Sequence, residues 1–467
     1  MRGLRSFLGL FLILVALAAY LYFVDSTREP GGERLDKVFG VEADAIEEVT
    51  VRAESGERTT LRRSGDGWQM VEPVATEPDS AAVSSLTTNI ASLEIQRIID
   101  DNPPDLAEYG LAEPRVEVAF KAGGEEGRLL IGRKTPPGTD LYAKLADGPR
   151  VFLIASYLDS TFNRDAFDLR DKAVLKLDRT AIDALAIETP GRTVRFSKAG
   201  GDWRLAAPVD ARADAVAVDG LVSRLNTLQM KSIAAAGPSS LAEFGLEKPQ
   251  ATVRIGSGSS EATLLVGAPS GDTDVYAKDA SKPMVVTIDA TLVDELTKAP
   301  GEVRQKDLFD ARAFNATHLE IARAGETLAF EKATVKNAEG QDEERWRQTA
   351  PAAAEADQTK VDNLLSAITQ ARAGSFVDST AKTGLNAPEL TATVKSDGGS
   401  RTETVAFGRS GGDAYASRAG EPGAATIEAS TLDNIVKALE ELQKPPANEA
   451  APAPAAGERE PGQGPER

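Results

Sequence analysis

The sequence predicts an α+β protein: three tandem copies of a mostly antiparallel sheet-plus-helix module that follow an N-terminal transmembrane helix. Three observations support this prediction. A pattern of apolar and turn residues recurs around each of the three tryptophans of the chain, Trp68, Trp203 and Trp346. Residues 6–24 form an uncharged, apolar run. The length of 467 residues is enough for about three domains of roughly 150 residues each.

Residues 6–24 have the length of a membrane-spanning helix. At a rise of about 1.5 Å per residue they would cover about 28 Å, close to the hydrocarbon core of about 30 Å. Arg2 and Arg5 precede the run, so residues 1–5 are predicted to be a cytoplasmic stub and the bulk of the chain to be periplasmic. This makes the chain a single-pass protein of a bacterial inner membrane, with residues 25–43 as a linker.

A cleaved signal peptide is the alternative for the same segment. Residues 16–18, Ala-Leu-Ala, would be its small-residue cleavage site. Cleavage there would leave an apolar new terminus, and Tyr20 and Tyr22 suit the membrane interface better than a removed peptide. The sequence therefore favours an uncleaved anchor, and the body of the chain is exported on either interpretation.

The first half of each module is predicted to contain three strands and a helix. Alternating apolar residues indicate an opening strand, a partner strand follows, and the tryptophan lies on a third strand. The next element has apolar residues at spacings of 3, 4 and 3, which place a stripe on one face of a helix. An aspartate four residues before the first of these is a natural N-cap. The predicted modules are residues 44–177, 178–312 and 313–444, and the capping residues are Asp79, Asp214 and Asp357.

The second half of each module begins with a [YF]-G-L-x-x-P turn, in which the third copy has Thr383 at the first position. A glycine at this place can supply a left-handed cap, and the proline prevents a helix from continuing. Four strand-like segments and a second helix follow, so the predicted module order is β-β-β-α-β-β-β-β-α. Because the strand connections are short, the strands are expected to be mostly antiparallel.

Two kinds of segment connect or end the modules. Residues 170–175 and 304–309 are similar to each other and contain no flexible Gly/Ser linker, which predicts a fairly rigid string of modules with packed junctions. Residues 445–467 are rich in Pro, Ala, Gly and Glu with almost nothing to bury, and we expect a disordered tail.

The order of anchor, tryptophan strand, helix, [YF]-G-L-x-x-P turn and Gly…Tyr-Ala strands resembles a bacterial family known as domain of unknown function 4340. The resemblance covers roughly residues 46–442, as three copies. It implies a membrane-anchored extracytoplasmic protein, often encoded beside an ABC-type transporter that resembles the gliding-motility auxiliary system. The family has no established catalytic residues, so the resemblance implies none here.

Composition excludes several kinds of function. The chain has no Cys and one His, so disulfide scaffolds, thiol nucleophiles and most catalytic zinc sites are excluded. The net charge of −19 argues against binding to the nucleic-acid backbone, which needs clustered cations. We predict no catalytic, cofactor-binding or metal-binding residues.

A few residues could nevertheless take part in chemistry. His318 is interpreted as a surface or edge-strand residue, and residues 256–260 as a hairpin loop instead of a phosphate cradle. The best carboxylate candidates are Asp100, Asp101, Asp140, Asp272 and Asp274, which are more simply solvated loop residues. The repeated tryptophans and Tyr142, Tyr276 and Tyr415 could form a carbohydrate-binding face, but packing of the sheet against its helices is the preferred interpretation.

The sequence thus favours a non-enzymatic, membrane-anchored periplasmic interaction protein. The family resemblance adds a role as an accessory of an ABC-type transport or gliding-motility-like system, with permease subunits or other envelope proteins as partners. The alternatives are a free-standing module that binds envelope glycan or peptide and, less favoured, a carboxylate-dependent hydrolase that would use Asp140 or Asp274.

Overall fold

The computed structural model of the chain describes residues 36–136, 138–238 and 240–444. It divides into two compact units, one up to Lys172 and one from Ala173 onward. The first unit contains one antiparallel sheet and the second contains two. The predicted anchor at residues 6–24 and the predicted tail at residues 445–467 lie outside the described residues. Within the described ranges, no helix is long and apolar enough to cross a membrane.

The first unit is built on one eight-stranded antiparallel sheet, which we call module 1. Its strand order is β3-β2-β1-β5-β6-β7-β8-β4. The strands are β1 (Ile46–Arg52), β2 (Arg58–Ser64), β3 (Gly67–Glu72), β4 (Arg97–Asp100), β5 (Val116–Ala122), β6 (Glu125–Lys134), β7 (Asp140–Leu145) and β8 (Val151–Ala155). The helices are α1 (Ser80–Ala91), α2 (Leu158–Phe162) and α3 (Ala166–Leu169).

The second unit repeats this topology twice. Each of its two sheets has nine strands, because a two-residue strand is added beside the tryptophan strand. In module 2 the strands are β9 (Ile182–Thr189), β10 (Arg192–Ala199), β11 (Asp202–Ala207), β12 (Ala211–Arg212), β13 (Ser232–Ala235), β14 (Ala251–Ser257), β15 (Ser260–Pro269), β16 (Asp274–Asp279) and β17 (Val285–Asp289). Its helices are α4 (Ala215–Asn226) and α5 (Thr291–Leu296).

Module 3 has the same strand arrangement and a longer final helix. Its strands are β18 (Ala316–Arg323), β19 (Glu326–Lys336), β20 (Asp342–Ala350), β21 (Ala354–Glu355), β22 (Ser375–Val377), β23 (Leu390–Ser396), β24 (Arg401–Ser410), β25 (Asp413–Arg418) and β26 (Ala424–Ile427). Its helices are α6 (Gln358–Thr369) and α7 (Ala429–Gln443). The α+β class and the antiparallel tandem repeat are therefore confirmed.

The cores form where the repeated apolar stripe meets a sheet. In module 1, Val83, Leu86 and Ile90 of α1 are buried against sheet residues of the same cluster. In module 3, Val361, Leu364 and Ile368 of α6 occupy the matching positions. The predicted N-caps are confirmed, since Asp79, Asp214 and Asp357 each accept a hydrogen bond from the backbone N–H three residues on. The aspartates thus satisfy amides that the first helical turn leaves open.

Two details differ from the sequence prediction. Each module has one more short strand after its first helix, namely β4, β13 or β22, which pairs with the last strand of its sheet. Module 1 also begins earlier than predicted. Val38 donates its N–H to Leu93 O at 2.8 Å and Val41 is buried in the core cluster, so residues 36–43 belong to the module and not to a linker.

The glycine turn packs directly on the sheet. Gly110, Gly245 and Gly384 each have a positive φ, as the left-handed cap requires, although the turn they end is 3-10 in copies one and two. A second glycine, on the second strand after the turn, faces this turn. A Cβ added to Gly267 would lie 2.2 Å from Phe244 O, and one added to Gly132 would lie 2.2 Å from Tyr109 O. The strand glycine is repeated because the turn leaves no room for a side chain.

Gly267→Ala should therefore destabilise module 2 by about 1–3 kcal/mol, the usual cost of overpacking a filled site. Gly220→Ala is the matched control. Gly220 lies inside α4 and a Cβ there would meet nothing within 4 Å, so alanine should stabilise the helix by about 1 kcal/mol. Urea unfolding followed by circular dichroism would measure both shifts. Equal stability of Gly267→Ala and the parent chain would refute the packing argument.

Candidate functional site

Asp274, one of the two aspartates that the hydrolase alternative would use, lies in an ion-pair cluster. Lys231 Nζ lies 2.6 Å from an oxygen of Asp274 and 3.2 Å from one of Asp289. The hydrogen bond from Lys231 lowers the pKa of the Asp274 carboxyl. A general acid in glycoside hydrolysis needs a raised pKa, so this environment favours a permanently charged carboxylate.

The other acidic candidates have different surroundings. Asp140 accepts a hydrogen bond from the Thr139 hydroxyl at 3.1 Å, and the corresponding residue of module 3, Asp413, is exposed. Asp101 pairs with Arg150 at 2.7 Å, and Asp100 accepts the Asn102 N–H at 2.9 Å. Asp272 is exposed. Equivalent positions of the three modules thus do not share one acid–base arrangement.

The cluster around Lys231 makes a prediction about pH. The side-chain and backbone hydrogen bonds from Thr291, followed by Lys231, lower the pKa of Asp289 from 3.8 to about 2. Because the folded pKa lies below the ordinary value, the stabilisation is complete above pH 3.8 and is lost as the pH falls towards 2. Lys231→Met should raise the pKa of both Asp289 and Asp274. A carboxyl-carbon NMR titration would measure both values, with Asp289→Asn identifying the signal, and unchanged values would contradict this assignment.

His318 lies inside the sheet, which corrects the prediction that it is a surface or edge-strand residue. Its strand, β18, pairs on one side with β19 and on the other with β23. The residue is 9% exposed, and its Nδ1 lies 3.1 Å from Glu331 Oε1. The polarity of histidine suggested an edge, but a carboxylate on the neighbouring strand provides a partner for the ring in the middle of the sheet.

The other sequence candidates are structural. Residues 256–260 connect β14 and β15 as a hairpin, as predicted, and no helix follows to create a phosphate site. Among the described residues, no group of three or more His, Asp or Glu side chains could hold a metal ion. Trp203 and Trp346 are buried. Tyr109 packs on Tyr142, and Phe244 on Tyr276, each with ring centroids 5.1 Å apart.

Module 1 has one polar cleft of about 470 Å³ on the outer side of β1, β5 and β6. Several of its charged residues are paired, including Arg52 with Glu117 at 2.9 Å and Glu48 with Arg62 at 2.8 Å. Phe120, the aromatic residue of the lining, is buried. The cleft therefore offers no exposed ring on which a sugar could stack.

The most extensive polar arrangement lies within the second unit, where modules 2 and 3 meet. Arg212 of β12 donates to Glu421 at 2.7 Å and to Asp310 at 2.6 Å. Arg304, at the start of residues 304–309, donates to the other oxygen of Glu421 at 3.2 Å. Its guanidinium also lies 3.8 Å from the ring centroid of Phe376. Two arginines of module 2 thus share one carboxylate of module 3.

A second buried pair completes this network. Glu403 accepts the backbone N–H groups of Asp310 and Ala311 at 3.0 and 2.7 Å. Arg418 lies 2.7 Å from Glu403 and donates to Leu308 O at 2.8 Å. The glutamate side chain is fully buried, so its charge is compensated entirely by these donors. The network binds the joining segment, residues 304–311, to module 3, which supports the predicted packed junction.

Sequence analysis missed these residues, although comparing the copies could have found them. Arg418 and Glu421 lie three and six residues after Tyr415. We call residues 418–421, and the equivalent residues of the other modules, the receiving loop. The receiving loop of module 2 has Asp279 and Lys282 at those places, and that of module 1 has Leu145 and Gly148. Lys282 donates to Val174 O at 2.6 Å, as Arg418 does to the matching Leu308. The scaffold repeats, whereas the chemistry of this loop changes in every copy.

The fold and these contacts define a tandem array of α+β modules whose charged residues hold modules together. A family profile described as domain of unknown function (DUF4340) matches residues 68–202, 203–345 and 346–448. The chain belongs to this family. Each matched segment begins at a tryptophan on the third strand of a sheet, and the first two segments end within the sheet that follows.

Other comparisons add little. No curated protein matches the chain. A solved DNA polymerase sliding clamp from Pseudomonas aeruginosa, crystallised with a ligand, is 7% identical and aligns over 83% of this chain and 92% of its own. Its TM-score is 0.14, which is too low to support any argument about fold or function.

Proposed function

We propose that this protein is a non-enzymatic interaction protein of the bacterial envelope, anchored in the inner membrane by residues 6–24 with its modules in the periplasm. The observation that supports this most is the variation of the receiving loop. Residues that repeat between modules, such as the N-cap aspartates and the strand glycines, have structural roles. The receiving-loop residues, which differ, lie on module faces, where a protein specifies what it contacts.

The accessory role in an ABC-type transport or gliding-motility-like system comes from the family resemblance. Contacts with a permease or another envelope protein would require the modules to stay near the membrane. Replacing residues 1–24 by a cleaved signal peptide should therefore abolish function in the cell, whereas Asp140→Asn and Asp274→Asn should preserve it. Loss of function in either aspartate variant, with the fold intact, would favour a hydrolase.

Crosslinking in cells, mild solubilisation of native membranes and mass spectrometry of the co-purified proteins would test the partner directly. We expect enrichment of a permease and its ATPase. Recovery of envelope glycan without a membrane protein would reject the accessory role. It would favour the alternative, a module that binds glycan or peptide, for which the cleft beside Arg52 and Glu117 is the best candidate surface.

A further inference from the structure

Within the described residues, no segment of the chain covers the face of module 1 that corresponds to the face where module 3 receives module 2. In module 3, Leu308 and Ala373 are buried beneath this junction, at 3% and 5% exposure. Their counterparts in module 1, Val38 and Ile95, are partly exposed. Ile98 corresponds to Phe376, on which Arg304 lies, and it is 43% exposed. We call this surface of module 1 the entry face.

The entry face is apolar. Val38, Ile95, Leu145, Pro149 and Phe152 line most of a groove of about 410 Å³, and the ion pair of Asp101 and Arg150 lines the rest. Where modules 2 and 3 place a charged residue that donates to the joining segment, module 1 has Leu145 and Gly148, which cannot donate from a side chain. A groove of this kind accepts an uncharged, apolar segment.

Within the described residues, no segment covers the corresponding edge of module 3, which we call the exit edge. In module 2, Ala211 is fully buried and residues 303–305 pair with the backbone of Arg212 and Asp214. The equivalent residues of module 3, Ala354 and Glu355, are exposed. The preceding residues 351–353, Pro-Ala-Ala, are exposed and uncharged as well.

We propose that the exit edge of module 3 in one copy binds the entry face of module 1 in a second copy. This contact would repeat the junction already formed by modules 2 and 3, with mainly apolar surfaces in place of the charged network. Residues 34–39 also match residues 304–309 in sequence, including Arg34 and Phe39 for Arg304 and Phe309. Head-to-tail association of this type is heterologous, so it can extend beyond two copies.

The charges on the two surfaces are consistent with a second copy of the chain as the partner. Glu355 takes the position of Arg212 on the exit edge, and Arg150 borders the groove of the entry face. The present partner of Arg150 is the exposed Asp101, an ion pair that contributes little and is easily exchanged. A lipid surface fits less well, because the groove is concave and the net charge of −19 disfavours an anionic membrane.

Site-directed crosslinking tests the proposal, since the chain has no cysteine of its own. Gly148→Cys and Glu355→Cys place thiols at the positions equivalent to Glu421 and Arg212, and a Cβ at Gly148 meets Leu145 Cβ at an ordinary 3.7 Å. The two full-length variants, separately tagged and purified in mild detergent, are mixed with a short bismaleimide. We expect a product that carries both tags. Replacing Glu355→Cys by Asp413→Cys, on an exposed hairpin of the same module, should give none.

A second variant addresses the apolar contact. Ile98→Asp should weaken self-association about tenfold or more in sedimentation velocity, because an unpaired carboxylate would be buried. Val216→Asp, at a residue that is 85% exposed outside the entry face, should have no effect. Three results would overturn the proposal. The first is the absence of a mixed product from folded variants, and the second is a product formed only between two Gly148→Cys chains. The third is capture in native membranes of a different polypeptide without a second copy of this chain. The first two results do not depend on the proposed anchor or transporter role.

Discussion

Glu403→Gln should destabilise the second unit by about 3 kcal/mol, the cost of removing one partner from a buried ion pair. The side chain of Glu403 is fully buried and lies 2.7 Å from Arg418. Glutamine has nearly the same volume, so the loss would arise from charge and not from a cavity. In this variant the guanidinium of Arg418 would still have two more distant carboxylate partners, Glu421 at 3.6 Å and Asp310 at 3.8 Å. These partners limit the loss of stability.

Glu343→Gln is the matched control, because it makes the same substitution in the same module. Glu343 pairs with Arg345 at 3.1 Å on an exposed surface, where an ion pair contributes less than about 1 kcal/mol. Urea unfolding of the full chain, followed by circular dichroism, would report a transition for each unit. Equal shifts for the two variants, or a shift confined to the transition of the first unit, would contradict the role assigned to Glu403.

Local patterns were sufficient to predict most of the fold. The spacing from Val83 to Ile90 and the aspartate before it act within one helix, so the sequence specifies them without reference to the sheet. The glycine turns were found for the same reason. The short strands β4, β13 and β22 were missed, because three or four residues at a sheet edge carry too little alternation to be recognised.

Features that depend on contacts between distant residues could not be predicted in this way. Glu403 lies 92 positions from Ala311, to which it is hydrogen bonded, and nothing in its local sequence distinguishes it from the other acidic residues. His318 was misplaced for a related reason, since its partner Glu331 belongs to the neighbouring strand. The repeat itself contained the missing information, because aligned positions that change chemistry identify the faces where modules meet.

Trp203→Ala should cost about 3–5 kcal/mol, the usual range for removing a large buried aromatic side chain. The ring is 4% exposed, and its indole N–H donates to Asp219 at 2.8 Å. Lys198, on the adjacent strand, places its ammonium 4.8 Å from the ring centroid. Alanine would therefore leave a cavity, an aspartate without its donor and a lysine without its aromatic partner.

Trp68→Ala offers the comparison that separates these contributions. Trp68 occupies the same position in module 1 and has Arg63 at 5.5 Å over its ring, but it is only partly buried and residue 84, which corresponds to Asp219, is a serine. We expect a smaller loss there, confined to the transition of the first unit. Asp219→Ala would then measure the hydrogen bond alone, at about 1–3 kcal/mol for a bond to a charged group. If Trp68→Ala destabilised its unit as strongly as Trp203→Ala, burial and the aspartate would not account for the role of this residue, and the repeated tryptophan would owe its importance to the cation stacked on its face in every module.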